Sequence, residues 1–257
     1  MASCPFCPGN EGLTPPETAA RRPGGGRADG PGWTVRAVPN RFPAVDPADG
    51  VHEVVIATPR HVAALGDLTP GEAATALDVW AERLRAVESD ARGLWPFVFL
   101  NQGALAGASL QHLHAQVVGL PFAPPRLVER ARGFAGVERC PVCAEIEGID
   151  DRRVAAAGGL VAWFPETPAL SGALRIAPAA HEPDWPAAPG EAAGPFLVRM
   201  ARAVTAALGA EALNVWLHRA PPGGMDAYHW HLEVVPRLGT LAAVSYTHLT
   251  LPTKRIV

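Results

Sequence analysis

His112-Leu113-His114-Ala115-Gln116 has a later counterpart in His229-Trp230-His231-Leu232-Glu233. The special residues around the two runs fall in one order. The first half reads Cys4-x-x-Cys7, His61, Asn101, then His-x-His-x-Gln; the second reads Cys140-x-x-Cys143, His181, Asn214, then His-x-His-x-Glu. The local text repeats too, Val55-Ile56-Ala57-Thr58-Pro59-Arg60-His61 against Leu174-Arg175-Ile176-Ala177-Pro178-Ala179-Ala180-His181. Such recurrence marks one supersecondary unit used twice, here an α+β unit.

Working outward, strand composition falls at 33–38 and 51–58, separated by the Asp46–Gly50 turn. Thr69-Pro70-Gly71-Glu72 is a helix start, with a capping Thr and a Glu three residues on. It opens a helix to about Arg92 whose apolar positions are Ala73, Leu77, Trp80, Leu84 and Val87. Strands follow at 95–100 and 113–120, joined by the glycine-bearing loop 101–111, and a short helix is expected over 126–133. The second half repeats this order, with strands near 160–164 and 172–177, a helix over 191–208, and strands at 213–217 and 230–235. Residues 15–32, rich in Pro and Gly, read as a mobile loop.

With 257 residues, 48% of them hydrophobic, the chain can bury a core, and disorder throughout is excluded. A formal charge of −3 with no basic block argues against nucleic acid as the main partner. Met1-Ala2-Ser3-Cys4-Pro5-Phe6-Cys7 has neither a basic n-region nor an apolar h-region. No apolar run approaches the roughly 18 residues of a membrane span. A soluble, cytoplasmic protein with no membrane partner is expected.

In a reducing compartment two Cys-x-x-Cys pairs read as metal ligands before disulfides. A redox pair should open a helix after a strand, and Pro8-Gly9-Asn10-Glu11-Gly12 does not resemble a helix. Any single histidine is more often a residue bonded to backbone than a ligand. Two parallel quartets shift that balance: Cys4, Cys7, His61 and His112, then Cys140, Cys143, His181 and His229, each the donor set of a closed structural zinc site. On a strand, positions i, i+2 and i+4 share a face, so a metal-bound His112 would set His114 and Gln116 side by side. A neutral imidazole is a good nucleophile toward phosphorus and a good leaving group afterwards. The Gln amide can donate to a phosphoryl oxygen without transferring a proton. Loop 101–111 offers backbone N–H groups and the Ser109 hydroxyl to a phosphate.

The His-x-His-x-Gln run resembles the signature of the galactose-1-phosphate uridylyltransferase branch of the histidine-triad superfamily. Further resemblances are Cys4-Pro5-Phe6-Cys7-Pro8-Gly9-Asn10-Glu11, Val38-Pro39-Asn40-Arg41-Phe42-Pro43, His52-Glu53-Val54-Val55-Ile56, and Asn101-Gln102-Gly103 with Gly107-Ala108-Ser109. They are dense over residues 4 to about 120 and looser to about 238. The resemblance implies two histidine-triad-like domains, 1–125 and 126–244, each an antiparallel sheet with helices packed against it, usually in a homodimer. It also implies a ping-pong reaction through a nucleotidyl-histidine, with His114 as nucleophile and Gln116 on the phosphate. Asn40, Arg41, Asn101, Gly107, Ala108 and Ser109 fall on substrate-binding positions. Hydrolase branches carry a third His where Gln116 stands, which favours transfer. Leu113 departs from the family's usual proline. Some relatives bind a second metal through a glutamate and three histidines, for which Glu129, His218, His229 and His231 are available; the presence of Cys140 and Cys143 favours the Cys₂His₂ set. No catalysis is expected at His231, where Glu233 replaces the glutamine.

The run 245–257 reads as foreign to the rest: Lys254 is the only lysine beside 21 arginines, and four of 12 threonines fall in the last 18 residues. Such a tail would replace a segment with which the family contacts the sugar phosphate. Three functions follow: a uridylyltransferase exchanging UMP between UDP-glucose and galactose 1-phosphate, an adenylyl-transferring relative such as an ADP-glucose phosphorylase, or a non-catalytic zinc and nucleotide-binding protein. Base choice depends on pocket shape, which the sequence does not give.

Overall fold

Strand residues 95–102 are apolar almost throughout, and every second one is buried, ending in Val98, Leu100 and Gln102. The computed structural model describes residues 4–168 and 170–239. In chain order its elements are β1 (Ala19–Arg21), β2 (Val35–Pro39), β3 (Val51–Ile56), α1 (Pro70–Glu88), β4 (Trp95–Gln102), β5 (His114–Leu120), α2 (Pro125–Arg132), α3 (Pro141–Glu147), β6 (Arg153–Ala157), β7 (Leu160–Trp163), β8 (Leu174–Pro178), α4 (Gly190–Leu208), β9 (Leu213–His218) and β10 (His231–Pro236). The expected tail, 245–257, lies outside the described residues.

Among the described residues the strands form one antiparallel sheet, ordered β1-β2-β3-β5-β4-β9-β10-β8-β7-β6. Outward from the β4–β9 junction the order is the same on both sides. The sheets expected of the two halves therefore run into each other, through Phe99↔Trp216, Leu100↔Val215, Asn101↔Asn214 and Gln102↔Leu213. The junction is pinned by the Asn214 Nδ2 amide, which donates to Asn101 Oδ1 at 2.7 Å and to the Ala106 carbonyl at 2.9 Å.

One face of the sheet is covered by α1 and α4, which pack on each other and share a single core with Val98, Leu100, Ala115, Val117, Val215 and Val234. The opposite face carries two smaller cores. Phe6, Trp33, Val38, Val54 and Ile56 lie under the first cysteine segment; Val142, Ile146, Val161, Trp163 and Tyr228 lie under the second. The residues immediately between the core-facing ones, among them His114 and Gln116, therefore point away from the helices.

Four elements differ from the sequence reading. The segment 15–32 is not a free loop: β1 forms within it and pairs with β2. Buried Arg36 staples it, donating to Glu17 Oε2 at 2.9 Å, Thr14 Oγ1 at 2.7 Å and Asp29 Oδ1 at 2.5 Å. Strand β6 and helix α3 were not anticipated, and α3 begins just after Cys140. Helix α1 ends at Glu88 rather than near Arg92.

Candidate functional site

At the N-terminal end of β5 two histidines two residues apart are held in opposite tautomers. His112 Nε2 lies 2.8 Å from the Thr58 carbonyl, which can only accept. That nitrogen carries the proton, and the Nδ1 lone pair is left facing the cysteines. It lies 3.6 Å from Cys4 Sγ and 3.7 Å from Cys7 Sγ, and His61 Nδ1 is 3.3 Å from Cys7 Sγ. A tetrahedral ion with bonds near 2.3 Å to sulfur and 2.0–2.1 Å to nitrogen separates those atoms by roughly 3.5 Å. The four donor atoms lie within 4.8 Å of one another, so Cys4, Cys7, His61 and His112 can hold a metal ion.

Behind His112 the support continues into α1. Thr58 donates its hydroxyl to Glu72 Oε1 at 2.5 Å, and Arg60 pairs with the same carboxylate. Glu72 is also the capping-box residue of α1, accepting from the Thr69 N–H. The Arg60 guanidinium and these hydrogen bonds push its carboxyl down to about 2. Outer partners of this kind fix the orientation of a ligating imidazole.

The second quartet repeats the geometry. His229 Nε2 meets the Pro178 carbonyl at 3.1 Å, His181 Nε2 meets that of Asp226 at 2.7 Å, and both Nδ1 atoms face sulfur at 3.4–3.6 Å. Cys140, Cys143, His181 and His229 can likewise hold a metal ion. Burial and the neighbouring Cys140 thiol push Cys143 up to about 11.

His114 is turned the other way. Its Nδ1 lies 2.8 Å from the His112 carbonyl, so Nδ1 carries the proton and Nε2 keeps the lone pair. Burial lowers its pKa, and the imidazole is neutral at neutral pH. Phe6 packs edge-on against it, with ring centroids 5.3 Å apart, which ties the first cysteine segment to this side chain. Gln116 lies two residues along the same face, half-buried, with Oε1 2.8 Å from His52 Nε2. Leu100 pairs with Ala115, so the register carries Asn101 beside His114. Gly107 lies close to Asn101: a Cβ there would stand 3.7 Å from Asn101 Nδ2. Asn40 follows β2 and is half-buried near His52, whereas Arg41, Gly107 and Ser109 are exposed and Ala108 is half-exposed. The structure thus brings His114, Gln116, Asn101 and Asn40 to one region of one face.

The same register corrects the pairing of Asn214 with Asn101 as repeat partners. In β10 the neighbour of His231 is His218, so His218 holds the place that Asn101 has beside His114. Around it the second run has become an ion-pair network. Arg130 donates to His231 Nε2 at 3.1 Å, His218 Nε2 lies 3.1 Å from Glu233 Oε2, and Arg130 and Arg175 flank the other carboxylate oxygen at 3.4 and 3.3 Å. Burial alone would raise the Glu233 carboxyl, but the His218 hydrogen bond and the Arg130 charge hold it well below the usual range. Two guanidiniums beside His218, His231 and Glu233 disfavour a cation there. Glu129 is exposed on α2 and His229 belongs to the second quartet, so the glutamate and three-histidine alternative does not assemble. Sequence reasoning gave no site role to His52, Thr58, Arg130 or Arg175, and read Glu72 only as a helix cap. For His52 the available signal was its position two residues before Val54, on the same face of β3.

Residues 35–124 match the family model described as galactose-1-phosphate uridyl transferase, N-terminal domain. An ADP-glucose phosphorylase of Arabidopsis thaliana is 27% identical over 269 residues, which is 92% of this chain and 74% of that protein. A galactose-1-phosphate uridylyltransferase of Streptomyces lividans is 33% identical over 132 residues, 51% of this chain and 34% of its own length. Among solved structures, that of an ADP-glucose phosphorylase from Arabidopsis thaliana with bound ADP-glucose superposes with a TM-score of 0.85 at 25% identity, covering 96% of this chain and 83% of the other.

Proposed function

The chain belongs to the galactose-1-phosphate uridylyltransferase family of the histidine-triad superfamily, and from that premise we propose that it transfers a nucleotidyl group from a nucleotide sugar through His114. The observation that carries this reading is the His114 tautomer. With Nδ1–H on the His112 carbonyl, the free Nε2 lone pair is the nucleophile. Nε2 bonds to the α-phosphorus as the P–O bond to the sugar phosphate breaks, and glucose 1-phosphate leaves. The imidazolium so formed keeps its Nδ1–H on the carbonyl, which stabilises the positive charge. An acceptor phosphate oxygen then attacks phosphorus and His114 departs neutral. Gln116 donates to a phosphoryl oxygen throughout, with Asn101 and Asn40 as further donors toward the nucleotide; Arg41, Gly107, Ala108 and Ser109 complete the substrate-binding set.

Zinc is the ion that suits both quartets, from the donor chemistry and the sulfur–nitrogen spacing. Held by Cys4, Cys7, His61 and His112, it would be structural and would fix His112, whose carbonyl orients His114. A homodimer belongs to the same reading.

We place ADP-glucose ahead of UDP-glucose as donor, because the likeness to the phosphorylase extends over both halves of the chain whereas that to the Streptomyces uridylyltransferase covers about half. The uridylyl reading rests on the family model and on the Gln116 motif. To separate them, metal-loaded protein is given each donor without acceptor and released glucose 1-phosphate is measured, followed by addition of inorganic phosphate or galactose 1-phosphate. A stoichiometric burst from ADP-glucose, and ADP on adding phosphate, supports the phosphorylase reading. A burst from UDP-glucose, and UDP-galactose on adding galactose 1-phosphate, supports the uridylyl reading. No burst with either donor overturns both in favour of a non-catalytic nucleotide-binding protein.

A further inference from the structure

A glutamine amide has two ends of opposite character, and only its NH₂ end can donate to a phosphoryl oxygen. Nothing in the backbone of β5 selects which end of Gln116 faces the reacting centre. We infer that His52 is a positioning residue that makes this selection, locking Gln116 with its carbonyl inward and its NH₂ toward the phosphate. The inference rests on the nucleotidyl-transfer reading of His114 and Gln116.

One hydrogen-bonding group beside His52 cannot flip. The backbone N–H of Ala44 lies 2.9 Å from His52 Nδ1 and can only donate, so Nδ1 must be the unprotonated nitrogen. Nε2 therefore carries the proton. Its partner at 2.8 Å is Gln116 Oε1, which accepts it. This contact is the diagonal one of an antiparallel pair: His52 lies opposite Val118, and Gln116 is two residues back on the same face. Burial keeps His52 neutral. A second proton on Nδ1 would also face the Ala44 N–H.

The same imidazole disposes of a second amide. Asn40 Oδ1 accepts the Phe42 N–H at 2.9 Å, which leaves the Asn40 NH₂ 3.1 Å from His52 Nε2. Nε2 is protonated, so it offers that NH₂ no lone pair, and the Asn40 hydrogens remain for another acceptor. A further backbone bond, Asn40 N–H to the His52 carbonyl at 2.7 Å, fixes the loop's start. One buried residue thus couples the loop at 40–44 to Gln116, and both amides are left with their donors outward.

The test is a double-mutant cycle on the single-turnover rate of His114 nucleotidylation, using whichever of ADP-glucose or UDP-glucose labels the wild type. His52→Phe keeps a ring of similar size and removes the donor; it should slow labelling by about tenfold or more. In a Gln116→Ala background the same change should add little, because the amide it orients is gone. His52→Gln, which returns an N–H near the place of Nε2, should recover most of the rate. An equal loss from His52→Phe with and without Gln116, or no loss at all, overturns the inference. Nitrogen-15 NMR of the wild-type histidines gives a readout that needs no variant: His52 must show a protonated Nε2 and a bare Nδ1, and the opposite tautomer overturns the inference. A wild type that labels with neither donor sinks the transfer reading, while the tautomer still decides whether His52 orients Gln116.

Discussion

At the residue scale the site depends on which nitrogen of each imidazole carries the proton. His112 and His114 share a strand face, yet one gives Nε2–H to the Thr58 carbonyl and the other gives Nδ1–H to the His112 carbonyl. The first leaves the Nδ1 lone pair facing the cysteines, the second leaves the Nε2 lone pair that we propose attacks phosphorus. His229 and His231 repeat both choices, but there the freed Nε2 of His231 is taken by Arg130. His114→Ala should therefore abolish nucleotidyl labelling while keeping full metal content, and His112→Ala should lose about one metal ion per chain, both checked by metal analysis on purified protein. His231→Gln should keep labelling. The shared face of 112, 114 and 116 was legible from alternation alone. The tautomers were not, because the Thr58 carbonyl reaches His112 only through the fold, and no spacing rule gives the ring orientation that turns His114 Nδ1 onto the His112 carbonyl.

At the element scale α1 does two jobs through one carboxylate. Glu72 closes the capping box with Thr69 and also receives Thr58 and Arg60, the outer support of His112. Thr69→Ala removes the cap alone and should cost about 1 kcal/mol in urea unfolding. Glu72→Ala should cost more, and in a chelator competition it should weaken metal retention at the first quartet and leave the second unchanged. Equal effects of the two variants on metal retention would contradict this division. The helix start was readable in Thr69-Pro70-Gly71-Glu72; the second job of Glu72 was not, since it needs β3 beside the helix. Strands β1 and β6 escaped the sequence reading for a related reason. They are the two edges of the sheet, three and five residues long, and β6 is largely exposed, so neither shows a buried alternation.

For the molecule as a whole, the repeat is two units closed against each other rather than two separate cores. We propose the division near residue 125 as a boundary between repeats, joined on one side by β4–β9 pairing and on the other by α1 against α4. At Gly194 the two helices approach backbone to backbone: a Cβ there would stand 2.5 Å from the Ala74 backbone nitrogen and 2.7 Å from its Cα. Alanine is favoured over glycine in a helix by up to about 1 kcal/mol. Overpacking against backbone that cannot rotate away costs about 1–3 kcal/mol, so Gly194→Ala should lower stability by roughly 1–2 kcal/mol in urea unfolding. The recurrence of His-x-His made the two-fold architecture legible. That the halves share one sheet was not, because it depends on how Asn101 and Asn214 meet across the junction. Covalent capture of the nucleotide by His114, as proposed, is decided by peptide mass spectrometry of metal-loaded protein quenched after ADP-glucose or UDP-glucose. One nucleoside monophosphate is expected on the peptide bearing His114 and none on the peptide bearing His231. Absence of an adduct at His114 with either donor, from protein carrying its full metal, rules out the covalent route.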